Sequence, residues 1–254
     1  NSLNSHIIYV SEGSELTLIE VFESENKENL LGLQTRVYVC ENAKVKLVRV
    51  NLLSESTDHF DDLGFHIEND AKAELVQLEL GGKRSYVGVR TELVGRKSEY
   101  RSATGYLCKG DSLLDMNFVT NEWGKKVSSN MDASGVLLDN STKVYRGTID
   151  FKEGAKGASG FEKEDTLLFS PSIINKSVPL ILCHEEDVEG DHGATIGRID
   201  EKLLFYIKSR GIDEKAAKQL MTEAYINAVT EQIGDDETEG KVIKYVSEVF
   251  NDEQ

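Results

Sequence analysis

Proline is nearly absent from this chain: Pro171 and Pro179 are the only two in 254 residues. Cysteine is sparse as well, with Cys40, Cys108 and Cys183 far apart. Three isolated cysteines do not make a disulfide framework and fit a reducing compartment. No run of 18 apolar residues occurs, so no transmembrane helix is expected. The first ten residues, NSLNSHIIYV, carry neither a basic region nor a long apolar stretch. They do not read as a signal peptide, and a cytoplasmic location is expected. Basic residues are outnumbered, 29 against 45 acidic, for a net charge of −16. That balance argues against a nucleic-acid binder, which needs a positive surface. It favours solubility and attraction to a basic partner.

What is present supports a packed core, since 39% of residues are hydrophobic. The first two-thirds read as short strands. RVYVCENAKVKLVRVNLL (36–53), AELVQLELGG (73–82), SYVGVRTELVG (85–95) and KVYRGTIDF (143–151) alternate polar and apolar residues between Gly, Asn or Asp. A weak repeat underlies them. GSELTLI starts at Gly13, NAKVKLV at Asn42 and DAKAELV at Asp70, offsets of 29 and 28 residues. GRKSEYR follows at Gly95 and GAKGASG at Gly154. Each of the first three copies places two apolar residues two apart: Leu16 and Leu18, Val45 and Leu47, Ala73 and Leu75. Burial with period two inside a period near 28 suggests stacked coils of a β-solenoid. A β-sandwich with similar hairpins is the alternative that these residues leave open.

The last quarter changes period. DEKLLFYIKSRG (200–211) offers Asp200 as N-cap, Leu203, Leu204 and Ile207 as one face, and Gly211 as terminator. Asp213 opens a second helix with Ala217, Leu220, Met221, Ala224, Ile226, Val229 and Ile233, ending at Gly234. A third segment, 239–250, carries Val242, Ile243, Val246, Val249 and Phe250. One face of such helices must lie on the β part, and another is free for a partner. Domains are accordingly expected over 1–197 and 198–254. Phe205 and Tyr206 are aromatic anchors of the kind enriched at interfaces, although Phe205 is expected in the core. Met221, Ala224, Tyr225 and Ala228 form a second stripe, at the spacing of a helix-in-groove contact.

The stretch HEEDVEGDHGATIGRID (184–200) sets two histidines among a run of acids. Cys183, His184 and His192 are all competent ligands for iron or an iron–sulfur cluster. No CxxC or HxxxH spacing supports them. The competing reading has Cys183 in the core, a solvated turn from His184 to Asp191, and His192 orienting the helix that follows. His59, Asp61, Asp62 and His66 are read as a surface cluster, and Cys40 and Cys108 as core residues. Gly81-Gly82-Lys83 lacks the remainder of a P-loop, and no Gly-x-Ser-x-Gly element appears. The chain is therefore not expected to be an enzyme that hydrolyses ATP.

GDHGATIGRIDEKLLFYIKSRGIDEKAAKQLMTEAYINAV (190–229) resembles the C-terminal signature of the SufB/SufD family of iron–sulfur cluster assembly proteins. The likeness rests on His192-Gly193-Ala194-Thr195, Phe205-Tyr206 and Arg210-Gly211-Ile212-Asp213. Upstream, 133–171 resembles the family's Gly-Val-Leu, Arg-Gly-Thr-Ile and Leu-Leu-Leu-Ser segments. The resemblance implies a mainly β fold, a right-handed parallel β-helix followed by an α-helical domain. It implies a scaffold or accessory subunit working with an ABC-type ATPase. Pairing through the β-helix, as homodimer or heterodimer with another family member, follows, with no nucleic-acid or membrane partner. Phe205, Tyr206, Met221 and Tyr225 are the implied ATPase contacts. No resident cofactor is expected; iron or a transient iron–sulfur cluster would be cargo at His192, Cys183 and His184. The sequence also departs from the family. Ser170-Pro171-Ser172-Ile173-Ile174 holds no cysteine, Gly193 replaces the SufB-type glutamate, and Gly190 stands where many SufD-type members have cysteine. A structural subunit with no cluster role, and a β-helix carbohydrate-active enzyme using paired carboxylates, are the alternatives.

Overall fold

The computed structural model describes residues 1–199 and 201–251; Asp200, the side chains of Glu201 and Leu203, and residues 252–254 lie outside what it describes. Among the described residues, fourteen strands precede the helices. They are β1 (Ser2–Val10), β2 (Glu15–Glu23), β3 (Asn29–Val39), β4 (Lys44–Leu52), β5 (Thr57–Ile67), β6 (Lys72–Glu79) and β7 (Arg84–Leu93), then β8 (Glu99–Cys108), β9 (Leu113–Glu122), β10 (Ser128–Leu137), β11 (Thr142–Phe151), β12 (Ala158–Leu168), β13 (Ile174–Cys183) and β14 (Val188–Arg198). Odd strands form one seven-stranded sheet and even strands the other, each in sequential order. The pairing is parallel throughout. The chain is a β-solenoid of seven two-strand coils, as the repeat indicated.

The repeat residues are the turn residues. Asn42 and Asp70 adopt φ of 59° and 53°, and Gly13 65°. Each amide donates to the carbonyl one position before its equivalent in the next coil: Gly13 to Glu41, Asn42 to Asn69, Asp70 to Arg96. The series continues through Lys97, Lys126 and Gly157. Gly95 and Gly154, the later copies legible in the sequence, sit two and three positions early. The sequence hid the true copies because lysine, a residue that disfavours the left-handed region, holds the turn at Lys97 and Lys126. Between turns the register stacks Leu16 on Val45 on Ala73, and Leu18 on Leu47 on Leu75. Inward residues of both sheets make the main core, including Val37, Leu47, Phe65, Leu75, Leu93, Tyr100, Phe118 and Phe151.

The even sheet is apolar on its outer side too. Val48, Val50, Val76, Leu78, Leu107, Val136 and Leu167 form a second cluster with the helices. Those helices are α1 (Glu201–Ser209), α2 (Glu214–Thr230) and α3 (Asp236–Asn251). The Asp213 carboxylate accepts from the Ala216 amide and caps α2. Ile226 and Val229 of α2, with Val242, Val246 and Phe250 of α3, are buried on the sheet. Each such burial contributes about 1.5–3 kcal/mol. The approach is close: a Cβ at Gly105 would lie 2.6 Å from Leu78 Cδ2 and 3.3 Å from Val229 Cβ. Leu220, expected on the buried face, is 53% exposed, and Thr222 is buried in its place. Phe205, expected in the core, is 75% exposed.

Candidate functional site at the open end of the solenoid

Among the described residues no coil stacks beyond the seventh, β13 and β14, so its inward residues line an open mouth. Parity identifies them. Val188 packs on the main core, and a Cβ on Gly190 would meet Phe151 and Ile181. His192 has the same parity and is in register with Glu162 of β12. Its side chain therefore lies on the inward side. It is exposed because nothing covers it, and it sits inside a strand, not against the next helix.

The other expected ligands lie elsewhere. Cys183 is exposed and in register with Phe151, at the end of β13. Gly190 and Ile181 face each other across the mouth. Cys183 lies two residues from Ile181 toward the turn, and His192 two residues from Gly190 away from it. At about 3.3 Å per residue the two are separated by roughly 13 Å along the strands. His184 turns to Asp150, with Nε2 3.6 Å from Oδ1. Among the described residues no group of three or more His, Cys, Asp or Glu is arranged to hold a metal ion. The structure thus does not gather His192, Cys183 and His184 into one site.

The floor of the mouth is polar. Glu162 and Glu164 stand two apart on the inward face of β12, both buried. Glu164 is fully engaged: Lys143 and Ser177 donate to its two oxygens. Lys143 is itself 0% exposed; burial pulls its ammonium pKa down, against the pull of Glu164. Glu162 is pushed up to about 7, first by burial and then by the neighbouring Glu164 carboxylate.

Polar residues continue inward along one edge of the solenoid. Asn51 Nδ2 donates to Glu79 Oε2 at 2.7 Å, and Gln77 Nε2 to Oε1 at 2.8 Å. His59 Nδ1 lies 3.8 Å from Glu79 Oε2. Burial raises the Glu79 pKa. Two residues back along β4, Arg49 binds Asp61, Thr35 and Glu20. A cavity of 250 Å³ reaches this lane from the surface, between Lys83, Lys109 and Tyr245 outside and Glu79 and Cys108 within. Burial lifts the Cys108 thiol to about 12, so it is no nucleophile at neutral pH. Reading His59 and Asp61 as surface residues is corrected here: both are buried, and only Asp62 and His66 face outward. The signal was available. In TDHFDDLGFHI, His59 and Asp61 share parity with Leu63, Phe65 and Ile67. Arg49 and Lys143 were missed because a charge in a strand ordinarily marks the wet face.

On the outer face of the odd sheet, acids are tied to arginines: Asp62 to Arg36, Asp58 to Arg84, Asp115 to Arg146. In the tail, Phe205 and Tyr206 are 75% and 54% exposed. Met221 and Tyr225 are half-buried against the outer cluster of the even sheet.

Comparison with known proteins agrees with this architecture. Residues 1–225 match the family model described as SUF system FeS cluster assembly, SufBD core domain. The chain is 25% identical to the iron-sulfur cluster assembly protein SufD of Escherichia coli, over 96% of this chain and 58% of that protein. It is 24% identical to SufD of Bacillus subtilis, over 91% and 54%. It is 26% identical to a SufBD family protein of Pyrococcus horikoshii, over 90% and 51%. The chain spans about half the length of these curated relatives. With the family model covering most of its length and the solenoid that the resemblance implied, this chain belongs to the SufB/SufD family of iron–sulfur cluster assembly proteins.

Proposed function

We propose that the chain is a SufD-like scaffold subunit of a SUF-type iron–sulfur cluster assembly system, and that the mouth around His192 is its working end. The observation that carries this reading is the open seventh coil. An inward histidine, in register with a buried carboxyl, stands where a continued solenoid would place more core. Such an end buries its apolar rim and unpaired strand edges against a second chain. The rim carries Ile174, Val178, Leu180, Leu182 and Ile196, each at least 37% exposed. The partner is a second family member, the same chain or a SufB-like one. His192 then lies at the junction, where iron or a nascent cluster is handled as cargo.

The helical tail is the proposed dock for an ABC-type ATPase, which supplies the ATP hydrolysis. Phe205 and Tyr206 are exposed aromatic anchors of the kind that carry binding energy, and Leu220 of α2 is exposed as well. Met221 and Tyr225 contribute only the edges that the sheet leaves uncovered. The chain itself is a scaffold and not an enzyme, and it works in the cytoplasm. Among the described residues no helix is long and apolar enough to cross a membrane. The test is mixing the purified chain with a purified SUF-system ABC-type ATPase subunit and with a SufB-type chain, followed by light scattering. A complex with each supports the reading; failure to bind either at tens of micromolar (order of magnitude) removes it.

A further inference from the structure

We infer that the turn edge of coils four to six is a docking surface for an acidic segment of a partner protein, one that carries an apolar side chain among its carboxylates. Three turns build it, 94–98, 123–127 and 152–157. Each holds two basic residues: Arg96 and Lys97, Lys125 and Lys126, Lys152 and Lys156. Glu153 is the one acid among them, in a chain where acids outnumber bases 45 to 29. The turn amides stack them, Lys97 donating to the Lys125 carbonyl and Lys126 to the Lys156 carbonyl, each at 2.9 Å. Successive coils lie about 4.8 Å apart, so like charges are gathered into one ridge. Arg96 and Lys152 are tied to Asp70 and Asp150. Lys97, Lys125, Lys126 and Lys156 are exposed, and among the described residues none has a carboxylate within 4.0 Å.

The fold gains nothing from lysine here. Stacked like charges destabilise a sheet. Lys97 and Lys126 also hold φ of 56° and 57°, a region that glycine, asparagine and aspartate occupy with less strain. Asn42, Asp70 and Gly157 take the same position in other coils. Strain and unpaired charge at one place mark a surface shaped by what it binds.

An apolar strip runs beside the charges. Val94 and Trp123 are equivalent residues of coils four and five, 38% and 49% exposed. The indole is fixed: Nε1 donates to Glu92 Oε2 at 2.7 Å, and Lys152 Nζ lies 5.1 Å from the ring centroid. A held aromatic beside long cationic side chains is the composition of a protein-binding patch. Charge selects the class of partner. The chain as a whole is acidic, at −16, so a nucleic acid or anionic membrane, broad enough to face the body as well as the ridge, is repelled within a Debye length of about 8 Å. A short acidic segment meets the ridge alone. Three coils span roughly 10 Å, about three residues of extended chain.

The probe is a synthetic peptide of alternating aspartate and glutamate with one central leucine, titrated into the full chain. Trp123 is the only tryptophan, so its emission reports the contact. Binding should move that emission to the blue and weaken at least tenfold between about 50 and 300 mM salt. Lys97→Asn with Lys126→Asn should weaken binding about tenfold, while the melting temperature holds or rises, because asparagine suits both turns. Should that variant melt lower, Lys125→Gln with Lys156→Gln repeats the test without touching a left-handed residue. Trp123→Ala, followed by calorimetry, should also lose about tenfold. Lys241→Asn with Lys244→Asn on α3 should bind as the parent does. Parental affinity in the ridge variants, no uptake by the parent at about 100 µM peptide, or an unmoved emission at saturation each overturns the inference. So does tighter binding of oligo-dT or of phosphatidylserine vesicles than of the peptide.

Discussion

Arg49 and Asp61 form a buried ion pair that ties the even sheet to the odd one. Arg49 Nη1 lies 2.6 Å from both carboxylate oxygens, and each side chain is 1% exposed. Two charges inside a solenoid are costly alone and tolerable together. Asp61→Asn should therefore cost about 3–5 kcal/mol in urea unfolding, and Arg49→Met with Asp61→Leu should recover most of it. A single substitution within 1 kcal/mol of the parent (order of magnitude) would contradict this.

Glu122 is wholly buried at the end of β9, where Ser129 Oγ donates to Oε1 at 2.6 Å. Burial lifts its pKa to about 8. The folded-state value exceeds the unfolded one, so the acid stays protonated in the fold while the unfolded chain ionises. The stability linked to this group is thus fully present below about pH 4.5 and declines as pH rises toward 8. Glu122→Gln should flatten that decline, gaining about 2–4 kcal/mol at pH 8 and almost nothing at pH 4.5. Parallel pH profiles for the two proteins would refute the assignment.

Gly105 sets the approach of α2 to the even sheet. Gly105→Val should destabilise by about 1–3 kcal/mol through overpacking, loosening the tail before the solenoid. Limited proteolysis should then cut between 199 and 236 faster than in the parent. Unchanged cleavage would mean that the helices are not seated through this contact.

Pairing through the seventh coil predicts an asymmetry between the two ends. Val178→Asp with Leu180→Lys should abolish association with a second family chain, as read by light scattering. Ile7→Asp on β1, although it too removes an exposed apolar residue, should leave association intact. The reverse pattern would move the interface to the first coil.

Phe205→Ala and Tyr206→Ala should each weaken ATPase capture about tenfold, a typical loss for an exposed aromatic anchor. The melting temperature should not move, because both rings are mostly exposed. A drop in melting temperature with capture preserved would assign them to packing.

The period near 28, the helix grammar of the last quarter and the family likeness are all local or statistical properties of the chain, and each was legible without coordinates. Gly13, Asn42 and Asp70 mark turns because short or absent side chains tolerate positive φ; the same turns at Lys97 and Lys126 carry no such mark. His192 could be singled out by motif, but not its neighbour. Glu162 lies thirty residues away in sequence and one strand away in space, and only the stacking of coils brings them together. Likewise His59, Asp61 and Lys143 are charged or polar residues in ordinary-looking strands. Whether such a side chain faces water or the core is decided by what the opposite sheet offers: a carboxylate for Arg49 and Lys143, helices for the outer face of the even sheet, and nothing yet for the last coil. Sequence determines which coils can form; the register between them decides which groups meet.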